Sequence, residues 1–238
     1  GVFLDGYRAK QLMIGEGILE NRLHVIYNSL NYFTHLKLRE KIEAKSTNPY
    51  PEIFGNNDPV ILFIGRLDIR KRVDKLVQCV FELNRDGVFC NAFIIGEGDL
   101  KCKLESIIAK NSLRERIHLY GECYDDELTS KFLYYADVFA SPGPVGLAAI
   151  HSMTFGTSVI THDNFAKQGP EFEVIEEGVT GNFFTFNDFN SFKETLSNWL
   201  IFTQSNKIII RSSCYEIIAE KYSPTNQINI IKEVLKHD

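Results

Sequence analysis

Four cationic side chains follow directly after an apolar run of the type that forms buried strands. Arg66, Arg70, Lys71 and Arg72 come at or just after the end of the run 59–65, "PVILFIG". The forked guanidinium of an arginine and the point charge of a lysine together suit a phosphate group. A solvated basic loop is the other interpretation, and the residues alone leave both open.

A loop rich in proline and glycine, "SPGPVG" at 141–146, is the second feature that could bind an anion. It leads from a predicted strand into a helical pattern. The first turn of a helix has free backbone N–H groups and the positive end of the helix dipole, which together attract anions. Because Arg66 and Lys71 follow another strand, we expect the two elements to converge on one pair of phosphates. His151 lies about one turn further into the helix, either as a ligand contact or as a hydrogen-bonded structural group.

Two further glycine turns follow predicted strands. The stretch 96–99, "GEGD", exposes backbone N–H groups, but Lys101 occupies the third glycine position of a dinucleotide fingerprint, so the pattern is incomplete. In the second turn, 121–124, Tyr124 could stack on a base. Ordinary turns at the start of a helix explain both stretches equally well.

The elements that must position these residues alternate between strand and helix. Helical patterns at 73–87, 99–112 and 125–136 separate most of the apolar runs, which lack the alternation of half-exposed strands. Strands covered on both faces read this way, so the sequence predicts an α/β fold with a Rossmann-like, doubly wound parallel sheet. The predicted strands are 23–27, 59–65, 91–96, 116–121, 136–140, 158–161 and 182–186.

The ends of these helices also carry signals. Asp99 is expected to cap the N-terminus of the second helix and Asp125 that of the third, and Gly87 is expected to end the first. The segment 44–59, rich in Pro, Asn and Gly, predicts a surface loop. Residues 1–31 predict one helix and one strand, and the chain from about 188 is expected to be mostly helical.

Composition excludes several classes of protein. The 238 residues are 44% hydrophobic and 24% charged, as in ordinary globular domains, and the negative net charge of −5 does not favour a nucleic-acid partner. Five cysteines without a CxxC pair argue against a disulfide framework and a zinc site, and they favour a reducing cytoplasm. Nothing else in the sequence has the spacing of a metal site, and no apolar run approaches the ~18 residues of a membrane span.

The ordered set of motifs resembles the C-terminal, donor-binding half of family 4 retaining glycosyltransferases, which have the GT-B fold. "VIYNSL" (25–30) resembles the interdomain linker motif, and "FIGRLDIRKRVDKL" (63–76) resembles the G-R-L…K-G motif. The remaining similar stretches are "IIGEGDL" (94–100), "IHLYGECYDDEL" (117–128), "YYADVFASPGPVGLAAIHSMTFGTSVIT" (134–161) and "EVIEEGVTGNFF" (173–184).

The resemblance implies a nucleoside-diphosphate sugar, of UDP or GDP type, held between two Rossmann-like domains, with no separate cofactor and no metal. Arg66 and Lys71 would then be catalytic, because fixed cations stabilise the charge that develops on a departing diphosphate. The residues expected at the donor are Gly65, Arg66, Lys71, Gly98, Glu122, Tyr124, Gly143, Pro144, Val145, Gly146, Leu147, His151, Glu171 and Glu173.

One departure from the family pattern affects the expected chemistry. Family members carry two glutamates eight positions apart across this loop and helix, and those positions hold Gly143 and His151 here. His151 could still bind a ribose hydroxyl. Glu171 and Glu173 are the nearest spare carboxylates: Glu173 matches the family's own E-x-I position, and Glu171 could take over a sugar contact.

The resemblance also divides the chain. Residues 1–31 are expected to be the tail of an N-terminal domain with the linker, 32–222 the donor-binding domain, and 223–238 a C-terminal helix that packs back toward the N-terminal domain. Because the chain opens on Gly1 rather than methionine, we expect it to be an excised part of a longer protein.

The expected activity is transfer of a sugar, with retention, to a glycan or lipid-linked acceptor that binds mainly the N-terminal domain. Bacterial surface polysaccharide synthesis is the expected setting. The location would be cytoplasmic, at the inner face of the membrane if the acceptor is lipid-linked. A sugar-nucleotide epimerase of the same fold and a non-catalytic binding or scaffold domain are the alternatives.

Overall fold

The computed structural model describes residues 1–237, which form two parallel sheets and nine α-helices. The strands are β1 Val2–Leu4, β2 Leu23–Val25, β3 Val60–Ile64, β4 Asn91–Ile95, β5 Ile117–Gly121, β6 Val138–Ala140, β7 Ser158–His162 and β8 Gly181–Phe184. The helices are α1 Tyr7–Gly15, α2 Tyr32–Lys45, α3 Tyr50–Phe54, α4 Val73–Arg85, α5 Lys101–Lys110, α6 Asp126–Tyr135, α7 Leu147–Thr154, α8 Phe189–Lys221 and α9 Pro224–His237.

The large sheet has the strand order β5-β4-β3-β6-β7-β8, with all neighbours parallel. The chain adds β4 and β5 on one side of β3, then returns to place β6 on the other side and continues outward. This order confirms the predicted Rossmann-like, doubly wound sheet. It creates a topological switch point between β3 and β6, where ligands bind in open α/β sheets.

The core is built from the strands predicted to be covered on both faces. Every residue of β4, β6 and β7 is buried. The predicted apolar face of α4 is also buried, with Leu76, Val77 and Val80 fully inaccessible and Leu83 nearly so. The period-3.6 pattern therefore indicated correctly which side of this helix packs on the sheet.

Two of the three predicted helix-end residues act as expected. Asp125 accepts a hydrogen bond from the Leu128 backbone N–H at 3.0 Å and caps α6. Gly87 follows α4 with φ +87°, the left-handed conformation that ends many helices. The prediction for Asp99 is wrong: α5 begins at Lys101 without a side-chain cap, because the preceding turn is held instead by a backbone bond from Leu100 N–H to Leu67 O.

The N-terminal segment contains one strand more than predicted. Residues 2–4 form β1, which pairs in parallel with β2 in a separate two-stranded sheet. Three residues are too few to produce a periodic pattern, and only the pairing with β2 identifies them as a strand.

The segment 44–59, predicted to be a surface loop, instead holds the end of α2 and the short helix α3. Tyr50 is only 2% exposed, and its hydroxyl donates to the Phe132 carbonyl at 2.7 Å. Its ring packs edge-on against Phe93 of β4. Aromatic burial against the sheet outweighed the local turn signals of this segment.

The C-terminal helices confirm the helical pattern expected after residue 188. On α9, the Gln227 side chain donates to the Tyr27 carbonyl at 2.6 Å, which ties this helix to the linker segment. Asp238, the last residue of the predicted 223–238 unit, lies outside the described residues, and the domain limits themselves stay predictions. No helix in residues 1–237 has both the length and the apolar character needed to cross a membrane.

Candidate functional site

The predicted site residues lie at the carboxyl edge of the large sheet, around the switch point. The loop after β3 carries the cation cluster, and the loop after the neighbouring β6 carries "SPGPVG". The expected approach of these two loops is therefore a consequence of the strand order. The Gly143 N–H donates to the Lys71 carbonyl at 3.1 Å, so the two loops are in direct contact.

A first cleft, the β3–β5 cleft, opens where β3, β4 and β5 end. It has a volume of about 280 Å³ and is lined by Ile64–Arg66, Ile95–Glu97 and Glu122–Tyr124. Arg66 is exposed and has no hydrogen-bond or ion-pair partner within residues 1–237. Tyr124 is 85% exposed, an aromatic ring open to a flat ligand. The structure thus brings four predicted residues, Gly65, Arg66, Glu122 and Tyr124, into one cleft.

Glycine is required where the strand ends approach each other in this cleft. A β-carbon on Gly96 would lie 1.9 Å from the Gly65 carbonyl oxygen. Gly98 has the same kind of role, since its β-carbon would lie 2.5 Å from the Leu67 oxygen. Gly98 does not line the cleft, and its close approach to Leu67 gives it a packing function, while its predicted ligand contact stays a prediction.

The N-terminus of α7 is open, as expected for an anion site. The backbone N–H groups of Gly146 and Leu147 have no partner in the described part of the chain, and no side chain caps the helix. A β-carbon on Gly146 would meet no atom within 4 Å. Space for a ligand therefore lies beside these two donors.

The preceding loop residues are more engaged than the sequence indicated. The Val145 N–H is already bound by the Gln168 side-chain oxygen at 2.8 Å. Pro144 contributes its carbonyl, which accepts a hydrogen bond from Lys71 Nζ at 2.6 Å. Of the three consecutive backbone N–H groups at 145–147, those of Gly146 and Leu147 therefore remain free within residues 1–237.

Gly143 holds the two loops together, and its predicted ligand contact stays a prediction. Its N–H is bound to the Lys71 carbonyl, and its own carbonyl accepts the hydroxyls of Ser141 and Thr161 at 3.0 and 3.3 Å. A β-carbon at this position would lie 2.1 Å from the Arg70 carbonyl oxygen. In this backbone, no side chain can stand where family members carry the first glutamate.

Lys71 is partly buried between the two loops. Burial lowers the pKa of its ammonium group, while the nearby carboxylate of Asp68 acts in the opposite direction. Asp68 also accepts the backbone N–H groups of Arg70 and Lys71, at 2.9 and 3.1 Å, and so holds the shape of the loop. The lysine is therefore directed at the Pro144 carbonyl, beside the open helix terminus.

His151 packs in an aromatic cluster. Its ring stacks on His35 of α2 with 4.7 Å between centroids and contacts Phe155 edge-on. Its Nε2 is buried without a partner in the described residues, and burial lowers the pKa of the imidazole to about 3. The imidazole is thus neutral and its Nε2 is buried, and the predicted ribose contact stays a prediction.

The two spare glutamates have different surroundings. Glu171 is 7% exposed and accepts a hydrogen bond from Asn28 of the linker at 2.8 Å. Glu173 accepts hydrogen bonds from the backbone N–H groups of Tyr7 and Arg8 at 2.6 and 2.7 Å. These N–H groups belong to the first turn of α1 and have no partner within the helix. Both carboxylate oxygens of Glu173 cap a helix, and its predicted substrate contact stays a prediction.

Gln168 was not identified from the sequence. Its oxygen binds the Val145 N–H, and its amide nitrogen lies 2.9 Å from Thr161 Oγ1 and 2.8 Å from the His162 carbonyl. Gln168 thus connects the end of β7 to the loop 141–146. A glutamine in a loop carries no signal of such a role. Asn28 lay within a recognised linker motif, but its partner Glu171 is 143 positions away.

Residues 1–237 contain no group of three or more His, Cys, Asp or Glu side chains arranged to hold a metal ion. The open N-terminus of α7, the Lys71 side chain at the Pro144 carbonyl and the exposed Arg66 are groups that suit an anion, and all three follow strands at the switch point.

Comparison with known proteins agrees with this arrangement. The model of the family described as Glycosyl transferases group 1 matches residues 45–212. An uncharacterized 41.2 kDa protein in the cps region of Klebsiella pneumoniae is 26% identical over 240 residues, covering 99% of this chain and 61% of the relative. The alpha-D-kanosaminyltransferase of Streptomyces kanamyceticus is 27% identical over 134 residues, covering 55% of this chain and 33% of the relative.

Solved structures show the same fold. Alr3699/HepE of Anabaena in complex with UDP aligns with a TM-score of 0.73 at 18% identity, covering 100% of this chain and 64% of that one. A mutant of TarM from S. aureus, in complex with Fondaparinux, alpha-GlcNAc-glycerol and UDP, aligns with a TM-score of 0.71 at 19% identity, covering 98% of this chain and 43% of that one. The chain therefore spans less than two thirds of the length of these relatives. With the family model matching most of its residues, the chain belongs to the Glycosyl transferases group 1 family.

Proposed function

We propose that this chain is the donor-binding part of a retaining glycosyltransferase that uses a UDP- or GDP-type sugar donor. The observation that carries the proposal is the contact of Lys71 with the Pro144 carbonyl beside the free N–H groups of Gly146 and Leu147. The contact joins the Lys71 cation to the loop 141–146, which we call the phosphate loop, and the two N–H donors lie at the end of that loop. Such a set binds a diphosphate and stabilises the charge that grows on it as the glycosidic bond breaks.

The nucleoside would lie in the β3–β5 cleft. Tyr124 offers an exposed ring for stacking on the base, and Arg66 supplies a cation in the same cleft. Two structural neighbours were solved in complex with UDP, which supports a nucleotide ligand for this fold.

The sugar would then lie near Glu171. Because Gly143 carries no carboxylate, Glu171 is the carboxylate beside the phosphate loop. A β-carbon on Gly169 would lie 2.7 Å from a carboxylate oxygen of Glu171 and 2.8 Å from the Val145 carbonyl oxygen, so these two groups are neighbours. Its bond to Asn28 joins this contact to the linker. The acceptor, a glycan or a lipid-linked glycan of bacterial surface polysaccharide synthesis, would bind mainly an N-terminal domain of the kind that the resemblance implies.

Calorimetric titration with UDP, GDP and ADP tests the proposal. We expect one nucleotide to bind and the Arg66→Ala/Lys71→Ala variant to lose at least ~2 kcal/mol of binding free energy, about thirtyfold in affinity, as charge-assisted contacts require. The matched control is Lys103→Ala/Arg114→Ala, which removes two exposed cations that line neither the β3–β5 cleft nor the phosphate loop. Equal binding by both double variants, or no binding of any nucleotide, would contradict the proposal.

A further inference from the structure

A second cleft opens at the same edge of the sheet, on the opposite side of the switch point. This β6–β8 cleft has a volume of about 440 Å³, and the residues that line it include Arg72, Pro144, His162, Lys167 and Phe186. It shares no lining residue with the β3–β5 cleft. The donor proposal therefore leaves it unassigned, although Pro144 of the phosphate loop forms part of its wall.

Two cations in this cleft have no acidic partner. Arg72 and Lys167 form no salt bridge with any acid of residues 1–237, and both lie over the ring of Phe186, at 5.6 and 4.8 Å from its centroid. The cation–π contacts hold the two charges toward the same space. Arg70 at the rim is already paired with Asp68. A concentration of unpaired positive charge in a chain of net charge −5 favours an anionic ligand.

The position of Arg72 is held by a contact between two residues of unusual backbone conformation. Arg72 has φ +54° and Asn187 has φ +65°, a region that disfavours residues with a β-carbon. The Arg72 guanidinium donates to the Asn187 side-chain oxygen at 2.9 Å, so each residue fixes the other. The guanidinium is thus preorganised at the wall of the cleft.

His162 forms part of the base of the cleft as a neutral ring. The Gln168 amide nitrogen lies 3.1 Å from Nδ1, and the amide is oriented by its oxygen, which accepts the Val145 N–H. Nδ1 must therefore accept, and the ring proton lies on Nε2, which is buried without a partner in the described residues. Burial lowers the pKa of this histidine to about 4, so the ring is neutral at physiological pH.

The rest of the wall is apolar and accessible. Ile69 is 81% exposed at the rim, and Pro144 lines the same space. The volume exceeds what a bare phosphate would fill. A pyranose ring fits such a wall, because its C–H face packs on apolar side chains while its substituents reach the polar groups.

We propose that the β6–β8 cleft binds a sugar unit that carries a carboxylate or phosphate group, with Arg72 and Lys167 contacting the anion. That the ligand is a sugar rests on the proposed function, whereas the preference for an anion rests on the cleft alone. The unit could be part of the donor or of the acceptor, and the chemistry recognised is the same.

The test is an NMR titration of the chain with glucuronate and with glucose, a neutral ring of similar shape. We expect glucuronate to bind at least about tenfold more tightly than glucose. We also expect Arg72→Gln/Lys167→Gln to weaken glucuronate binding at least about tenfold, while the control Arg114→Gln/Lys103→Gln leaves it unchanged. Lys167→Gln alone is the fallback variant, since Lys167 is exposed and its loss leaves the Arg72–Asn187 contact intact.

Equal binding of the two sugars, or glucuronate binding that both variants leave unchanged, would overturn the proposal. The source of the sugar is distinguished by adding saturating UDP-glucose. Continued glucuronate binding supports an acceptor unit, and displacement together with tighter binding of UDP-glucuronate than UDP-glucose supports a donor unit. If UDP binds and glucuronate does not, only the inference about the β6–β8 cleft is overturned. If glucuronate binds and UDP does not, the anion preference of the β6–β8 cleft is supported and the donor proposal is overturned.

Discussion

Gly143→Ala and Gly146→Ala, two substitutions in one loop, should differ in their effect on stability. At Gly143 the added methyl group would lie 2.1 Å from the Arg70 carbonyl oxygen and 2.7 Å from Lys71 Cα, both backbone atoms. Relief requires the loops after β3 and β6 to separate by more than ~1 Å, which costs about 1–3 kcal/mol as overpacking. The hydrogen bond from Gly143 N–H to Lys71 O, which contributes about 1 kcal/mol, is lost as well.

The expected loss for Gly143→Ala is therefore about 2–4 kcal/mol in the free energy of unfolding, or a fall of about 5–15 °C in Tm for a chain of this size. Gly146→Ala meets no atom within 4 Å and should change stability by less than about 1 kcal/mol. Its methyl group would nevertheless enter the space beside the free N–H groups, so nucleotide affinity should fall.

Urea unfolding and UDP titration of the two variants measure both effects. Gly143→Glu, which restores the carboxylate of the family pattern, should destabilise the chain at least as much as Gly143→Ala and should not increase nucleotide affinity. A Gly143→Ala protein as stable as the parent chain, or a Gly146→Ala protein that is the less stable of the two, would refute this reasoning.

Three further predictions follow from individual side chains. Glu173→Gln should lower the free energy of unfolding by about 1–2 kcal/mol without changing UDP affinity, because it weakens the cap of α1, whereas exposed Glu177→Gln should do neither. Gln168→Leu should lower stability by about 2 kcal/mol and weaken UDP binding, because the Val145 N–H loses its tether, and exposed Gln204→Leu is the control for urea unfolding and titration. The free energy of unfolding should fall as pH drops from about 6.5 toward 4, by up to ~1.4 kcal/mol per pH unit for each of His151 and His162, because the unfolded chain binds protons that the folded imidazoles, with their lowered pKa values, do not. Urea unfolding of His151→Phe between pH 7 and 5 should show a shallower dependence of the free energy of unfolding on pH. An unchanged dependence would contradict the burial argument.

The doubly wound parallel sheet was accessible from the sequence for a physical reason. Fully buried strands in an α/β domain require short apolar runs, and the helices between them require amphipathic patterns, so both appear locally in the residues. Once the sheet is doubly wound, ligands bind at the carboxyl ends of its strands. The cations after β3 and the glycine loop after β6 could therefore be predicted to converge, and the contact between Lys71 and Pro144 agrees with that.

Local patterns failed where a distant partner decides the outcome. Residues 2–4 are a strand only because β2 pairs with them, and Tyr50 is buried because the ring of Phe93 in β4 lies opposite. Asp99 has a good capping side chain, but the turn before α5 is held by the Leu67 carbonyl. Each of these outcomes depends on a contact that sequence spacing does not reveal.

The sequence by itself determined the family, the doubly wound sheet and the types of residue available to bind a diphosphate, because these follow from composition, periodicity and ordered motifs. Only the tertiary structure decided which of those residues are free. It directs Glu173 to a helix terminus, places Gly143 against a neighbouring backbone, stacks His151 on His35 and lets Gln168 occupy the Val145 N–H. Each hydrogen-bond donor pairs with an acceptor that the fold brings within about 3 Å, and long-range packing decides which groups come that close.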